Sequence, residues 1–193
     1  YNVSFDKKYL IEAKAIVDFV VENFYDIGDK LFYFTSALQT DLPLRKKEIY
    51  DNATPSGNST MLHNLLILSV LLPNGDTYSR IFEAMLNNIT PTVARFPQSF
   101  GRWSSAVLAA IHPPFELGIV GANAFEKAKE VNTFFVPNKI LAVSEKKDDN
   151  LPLLENRFVE NTDALIYICQ NFACQKPVST IIDFKKSIGI DED

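Results

Sequence analysis

The sequence predicts a mainly helical protein with a small β-containing C-terminal part. Three observations carry that expectation. Apolar residues recur at helical spacing between Asp6 and Phe24, and the run from Met61 to Leu72 is apolar on every side. After Pro113-Pro114 the pattern changes to short apolar runs of strand length. Composition agrees with a folded chain: 193 residues, 47% hydrophobic and only 22% charged, enough to bury a sizeable core in one domain.

In the first helix Tyr9, Ala13, Ile16, Val17, Val20 and Phe24 make a one-sided stripe, with Lys7, Lys14, Asp18 and Glu22 opposite. Asp6 is its N-cap, and Asp26-Ile27-Gly28-Asp29 ends it. The stretch "KLFYFTSALQTDLPLRKKEIYD" follows, with the aromatic run Phe32-Tyr33-Phe34 and a breaker at Pro43. It reads as a long ordered connection with a short extended piece, and connections of that length are often functional.

In "YDNATPSGNSTMLHNLLILS" a turn at Pro55 to Asn58 leads into the apolar helix, with Ser56 or Asn58 as its cap. A soluble helix that is apolar all round must be buried all round. That makes residues 61–72 an inner helix whose N-terminus is its one polar place.

Helices are expected next over about Thr77–Asn87, carrying Ile81, Phe82, Met85 and Leu86, and over about Gln98–Ile111, carrying Phe100, Trp103 and Val107. Pro91 and Pro97 separate them, and Pro113-Pro114 stops the second. Beyond that point "FELGIVG", "PNKILAVS" and "ALIYICQN" read as strands, and "AFEKAKEVNTFF" and "STIIDFKKSI" as helices. Strand, helix, strand is a βαβ-like order.

Charge narrows the partners. A net charge of -5 argues against nucleic acid and against an anionic membrane surface. The short basic runs Arg45–Lys47 and Lys146-Lys147 read as solvated faces. No apolar run reaches the ~18 residues a membrane span needs, and the start at Tyr1 offers no secretory signal to read. Cys169 and Cys174 are too few for a disulfide framework, which fits a reducing, cytoplasmic setting. Sequons at Asn2, Asn52, Asn58 and Asn88 read as chance matches.

Four blocks, "RKKEIYDNATPSGNSTMLHNLLILS", "VPNKILAV", "LPLLENR" and "ALIYICQNFACQKPV", resemble in order the landmarks of one family. Its members, spermatogenesis-associated thioredoxin-like proteins and bacterial relatives, join an N-terminal thioredoxin-like domain to an (α/α) toroid of the six-hairpin glycosidase type. The resemblance implies that residues 1–193 are the C-terminal portion of such a toroid, with residues 115–193 a βαβ-like appendage within it. The thioredoxin-like domain would lie upstream, outside this chain. Asn52 stands where the family usually has Gly. Residues 51–59 would then sit at the mouth of the toroid, where related toroids bind sugars.

Each candidate residue has two readings. Arg45, Asp51, Ser56, Asn58 and Ser59 could grip sugar hydroxyls, or they could cap the helix and close the loop, with Arg45 paired to Asp51. His63 lies one helical turn after Ser59, and related sugar epimerases use inner-helix histidines as acid or base; it could equally be a hydrogen-bonded core histidine. Arg102-Trp103 could form a stacking platform, or Trp103 could be core. His112 reads as structural. Cys169-x4-Cys174 matches neither a zinc pattern nor a CxxC motif. Glu116, Asp148, Asp149 and Glu155 could supply paired carboxylates, but no spacing pairs two of them.

The expectation is therefore a carbohydrate-related domain, sugar-binding or epimerase- or glycosidase-like, without metal or cofactor. The alternative is a non-catalytic scaffold that binds a protein partner or positions the upstream thioredoxin-like domain, and a third reading is thiol-redox chemistry through Cys169 and Cys174. Apolar surface left by an incomplete ring would make this piece self-associate or pack against the missing N-terminal part of its parent.

Overall fold

The computed structural model describes residues 1–158, 163–170 and 173–190. They fall into two units. One holds 6–69 and 74–112; the other holds 1–5, 70–73 and 113 onwards.

The first unit begins with α1 (Lys7–Phe24), whose Asp6 side chain accepts a hydrogen bond from the Lys8 N–H as the cap position requires. Its buried residues are Leu10 and Val17, and Ala13, Val20 and Phe24 of the expected stripe are half-buried. Tyr9, Ile16 and Phe19 are left exposed. A two-residue hairpin, β1 (Tyr25–Asp26) with β2 (Leu31–Phe32), follows antiparallel. The chain then runs without regular structure to α2 (Gly57–Leu71).

Along α2, Leu62, Leu65, Leu68 and Leu71 are buried, while Met61, Leu66, Ile67 and Val70 are only half-buried. The helix is therefore enclosed on one side rather than all round. Next, α3 (Asp76–Arg95) runs straight past Pro91, where the sequence had suggested an end. Its buried stripe Tyr78, Phe82, Met85, Ile89 and Val93 continues across the proline. Burying Ile89 and Val93 offsets the ~3 kcal/mol that an interior proline costs. A 3-10 turn (Pro97–Ser99) leads into α4 (Gly101–Ile111), which buries Trp103, Ala106 and Ala109.

The second unit is built on a sheet. Strands β3 (Phe115–Val120), β4 (Lys139–Ser144), β5 (Leu165–Gln170) and β6 (Ala173–Cys174) lie in the order β4-β3-β5-β6. β3 and β4 are parallel, joined by α5 (Ala124–Asn132), while β5 pairs antiparallel with both β3 and β6. The βαβ expected from the sequence is present. On one face Leu117, Ile119, Leu141, Val143, Ile166 and Ile168 form a core with Ala124, Ala128 and Val131 of α5 and Phe184 of α6 (Ile181–Ser187).

The opposite face is covered differently. At Gly118 a Cβ would lie 2.4 Å from the Leu153 carbonyl oxygen, because the short 3-10 turn Pro152–Leu154 crosses the sheet there. Only a residue without a side chain lets the two backbones approach so closely.

Two expectations are corrected here. The chain is neither mainly α nor a toroid: among the described residues helix of all kinds makes up 47% and strand 15%, with a mixed four-stranded sheet organising one unit. A hairpin and a long irregular connection separate α1 from α2, so α1 to α4 do not form a series of helical hairpins. The ring was implied by family resemblance and not by the apolar pattern, which had marked β3, β4 and β5. In addition, Cys169 and Cys174 are joined as a disulfide between adjacent strands. Their spacing alone did not reveal the strand register that brings them opposite.

Gly118→Ala is expected to destabilise the chain by about 1–3 kcal/mol, the cost of overpacking against backbone that cannot turn aside. Urea unfolding followed by circular dichroism measures it; an unchanged midpoint would show that the crossing turn gives way.

Candidate functional site

The polar gate before α2 is organised by Asp51. Its Oδ1 accepts from the Ser56 N–H at 2.9 Å and from the Ser59 hydroxyl at 2.7 Å. Its Oδ2 accepts from the N–H groups of Arg102 at 2.7 Å and Trp103 at 3.3 Å. The first turn of a helix has N–H groups without intrahelical partners. One carboxylate thus serves the starts of both α2 and α4. Burial acts to raise the Asp51 pKa, but the hydrogen bonds from Ser59, Ser56, Arg102 and Trp103 outweigh it and hold the carboxyl below its ordinary value.

The remaining gate residues face inward. The Ser56 Oγ accepts from the Ser59 N–H at 3.1 Å, the bond expected of an N-cap. Asn58 uses its whole amide: Oδ1 accepts from Phe32 N–H at 2.7 Å, and Nδ2 donates to the Phe32 and Glu48 carbonyls, both at 2.8 Å. Ser56, Asn58 and Ser59 are buried at 4%, 3% and 0% exposure; Ser56 caps the helix as read in the sequence, whereas Asn58 ties it to Phe32 and Glu48.

Arg45 does not pair with Asp51. Its guanidinium donates to the Thr35 and Asn23 carbonyls and lies 4.0 Å from the centre of the Tyr33 ring. Lys47 lies over the same ring and pairs with Asp26 and Asp29. Trp103 is wholly buried, with its indole N–H donating to the Ile49 carbonyl at 2.7 Å. Arg102 enters the network through its backbone: its N–H meets Asp51, and its carbonyl meets His63 Nε2 at 2.9 Å. A carbonyl only accepts, so Nε2 carries the hydrogen. Burial is the main cause that pushes the His63 pKa down, so the ring is neutral near pH 7.

These bonds also order the long connection. Phe34 N–H donates to the Lys46 carbonyl and Asp51 N–H to the Ser99 carbonyl, while Asn58 and Trp103 hold Glu48 and Ile49. Residues 46–51 become a strap that walls a pocket of about 390 Å³. Val20 and Phe24 of α1, Phe32, Tyr33 and Phe34, Glu48 of the strap, and Asn58, Thr60 and Met61 of α2 line it. Its size is that of a small-ligand site, mostly apolar with a few polar groups.

Of the residues expected to bind a ligand, only Asn58 lines this pocket; Asp51, Ser56, Ser59, Arg102 and Trp103 form the hydrogen-bond network at the start of α2 and α4. Tyr33, Phe34, Glu48 and Thr60 were missed as site residues. The aromatic run was visible in the sequence, but nothing there showed that Glu48 and Thr60 would face it. Among the carboxylates, burial raises the Glu116 pKa, and Asp149 is held low by Lys147. Among the described residues no helix is long and apolar enough to cross a membrane.

Most of the chain is similar to spermatogenesis-associated protein 20. It is 32% identical to the Rattus norvegicus protein over 83% of this chain and 23% of the relative. Against the Homo sapiens protein it is 26% identical, and against the Mus musculus protein 28%, each over 96% of this chain and 25% of the relative. The chain spans about a quarter of the length of these curated relatives. No family model and no solved structure matches it.

Asp51→Asn is expected to cost about 2–4 kcal/mol, because an amide oxygen cannot accept four hydrogen bonds and its NH2 group meets donors. The sign with pH follows from the lowered pKa. Stability from Asp51 is complete above the ordinary aspartate value near ~3.9 and is lost as pH falls through the lower folded value. Urea midpoints across pH 2 to 7 check this, and the variant should show a shallower loss in acid than the parent.

Proposed function

We propose that this chain is part of a protein of the spermatogenesis-associated protein 20 kind, and that it serves there as a binding module for a carbohydrate ring. The observation that carries the reading is the pocket beside the start of α2. Sugars present apolar C–H faces flanked by hydroxyls, and such a ring is held by an aromatic surface with a few fixed polar groups around it. Phe34 supplies the surface, being 76% exposed at the pocket. Glu48 of the strap and Thr60 of α2 also line it, and their carboxylate and hydroxyl can serve as acceptor and donor. Binding without turnover is favoured by the chemistry of the gate, where Asp51 is kept ionised by its donors and His63 gives its Nε2 hydrogen to a backbone carbonyl. A general acid or base needs a proton free to move to the substrate.

Titration with a panel of mono- and disaccharides, followed by NMR, tests the reading. Millimolar binding is expected, weakened at least tenfold, or about 1.4 kcal/mol, in both Phe34→Ala and Glu48→Gln. Both side chains are exposed, so neither change should alter the melting transition. No binding at tens of millimolar, or binding indifferent to both substitutions, overturns it.

A second reading, a scaffold docked on the rest of its parent chain, is favoured by α1. Tyr9, Ile16 and Phe19 lie exposed at seven- and three-residue spacings, so they share one side of the helix. Relatives about four times as long offer a partner of the right origin. Cross-linking the parent polypeptide through Lys8 and Lys14 is expected to join α1 to residues outside the present 193. Cross-links confined to this span, or running between copies, count against it.

A further inference from the structure

We propose that the Cys169–Cys174 bond is a redox-active disulfide that exchanges with small thiols of the glutathione class, with Cys174 the sulfur attacked and Arg157 the cation that holds its thiolate. The bond has little structural work to do. β5 and β6 already pair Cys169 with Cys174 and Gln170 with Ala173. The bridge spans only five positions, and closing so short a ring constrains the unfolded chain least.

The two sulfurs differ in access. Cys169 is 2% exposed on the central strand β5, whereas Cys174 is exposed on β6 at the sheet edge. An incoming thiolate reaches Cys174 first. Arg157 Nη2 stands 3.4 Å from the Cys174 sulfur, and its guanidinium lies 5.2 Å from the centre of the Tyr167 ring. Its Nη1 is buried and has no hydrogen-bond partner. That nitrogen is packed over Gly118, where even a Cβ would come within 3.3 Å. A guanidinium is always charged and normally donates to an anion. Here a cation is held by packing beside a neutral sulfur, and opening the bond would put a thiolate where it can be stabilised.

On the buried side, Glu116 of β3 is the register partner of Cys169. Residues directly opposite in an antiparallel pair project to the same face with Cβ atoms about 4.5–5.5 Å apart. Burial raises the Glu116 pKa, so its carboxyl keeps a proton further towards neutral pH than an ordinary glutamic acid.

The exchange balances as follows. A glutathione thiolate attacks Cys174 Sγ, forming a mixed disulfide; the bonding pair leaves on Cys169 Sγ, which takes a proton from Glu116 or water. A second thiolate attacks the glutathione sulfur, releasing oxidised glutathione and the Cys174 thiolate beside Arg157. Two thiols are oxidised by two electrons, and the disulfide is reduced by two.

The test uses the folded chain and millimolar reduced glutathione, with acid quenching, alkylation and mass spectrometry over time. The expected result is opening of the bond without denaturant, through a glutathione adduct on Cys174, and with an unchanged melting temperature. Arg157→Gln should slow opening at least tenfold, and Arg157→Lys should restore much of the rate. Should the Arg157 variants fail to fold, Cys169→Ser treated with oxidised glutathione is expected to hold a stable adduct on Cys174. A bond that opens only in denaturant, a melting temperature that falls on reduction, an adduct on Cys169, or an Arg157→Gln rate equal to the parent's each overturns the proposal.

Discussion

Two helix N-termini carry like partial charges and eight N–H groups that their own helices leave unpaired. Bringing α2 and α4 to one place is unfavourable unless something negative stands between them. Asp51 does, with two hydrogen bonds to each side. Hydrogen bonds to a charged group contribute more than neutral ones, roughly 1.5–3 kcal/mol each, so the set exceeds the cost of half-burying one carboxylate. The network propagates outward from there. Fixing the first turn of α2 fixes Asn58, whose amide holds Phe32 and the Glu48 carbonyl, and those three bonds set one wall of the pocket. The greasy helix has a polar start because that start anchors the chain around it.

Much of this was legible in residue types. Ser and Asn before an apolar run are caps by their short, backbone-seeking side chains, and Ser56 behaves so. Three of the strands were legible as well, since Phe115–Val120, Lys139–Ser144 and Leu165–Gln170 are mostly apolar runs of strand length, the first two around a helical period. Pro91 misled because a proline's local cost is visible in sequence, whereas the burial of Ile89 and Val93 that offsets it is not. The toroid failed for a different reason. It was inferred from resemblance in short blocks, and short blocks specify local segments without fixing how many helices surround them.

What the sequence hid depends on contacts between distant positions. Arg45 and Lys47 over Tyr33, and Asn58 spanning from Phe32 to Glu48, are meetings across ten to 26 positions. Residue type gives each of these groups a capacity for hydrogen bonding or cation–π contact, but only the folded strap assigns the partner. Arg45 next to Asp51 was a reasonable pair by charge and by nearness in sequence. The guanidinium instead found two carbonyls and a ring, which together use its planar fork and its charge.

The sheet of the second unit illustrates the same point through its two faces. Alternate residues along a strand must point to opposite sides, so placing Leu117 and Ile119 in the core obliges Glu116 and Gly118 to face the other way. On β5 the same alternation puts Ile166 and Ile168 in the core and sends Tyr167 and Cys169 outward with them. A glutamate, a tyrosine and a cysteine are thereby gathered on one face without any motif in the sequence. Gly118 then opens the space in which the Pro152–Leu154 turn can lie, and Arg157 follows that turn by three residues. A cation reaches the sulfur because a glycine made room for the backbone that carries it.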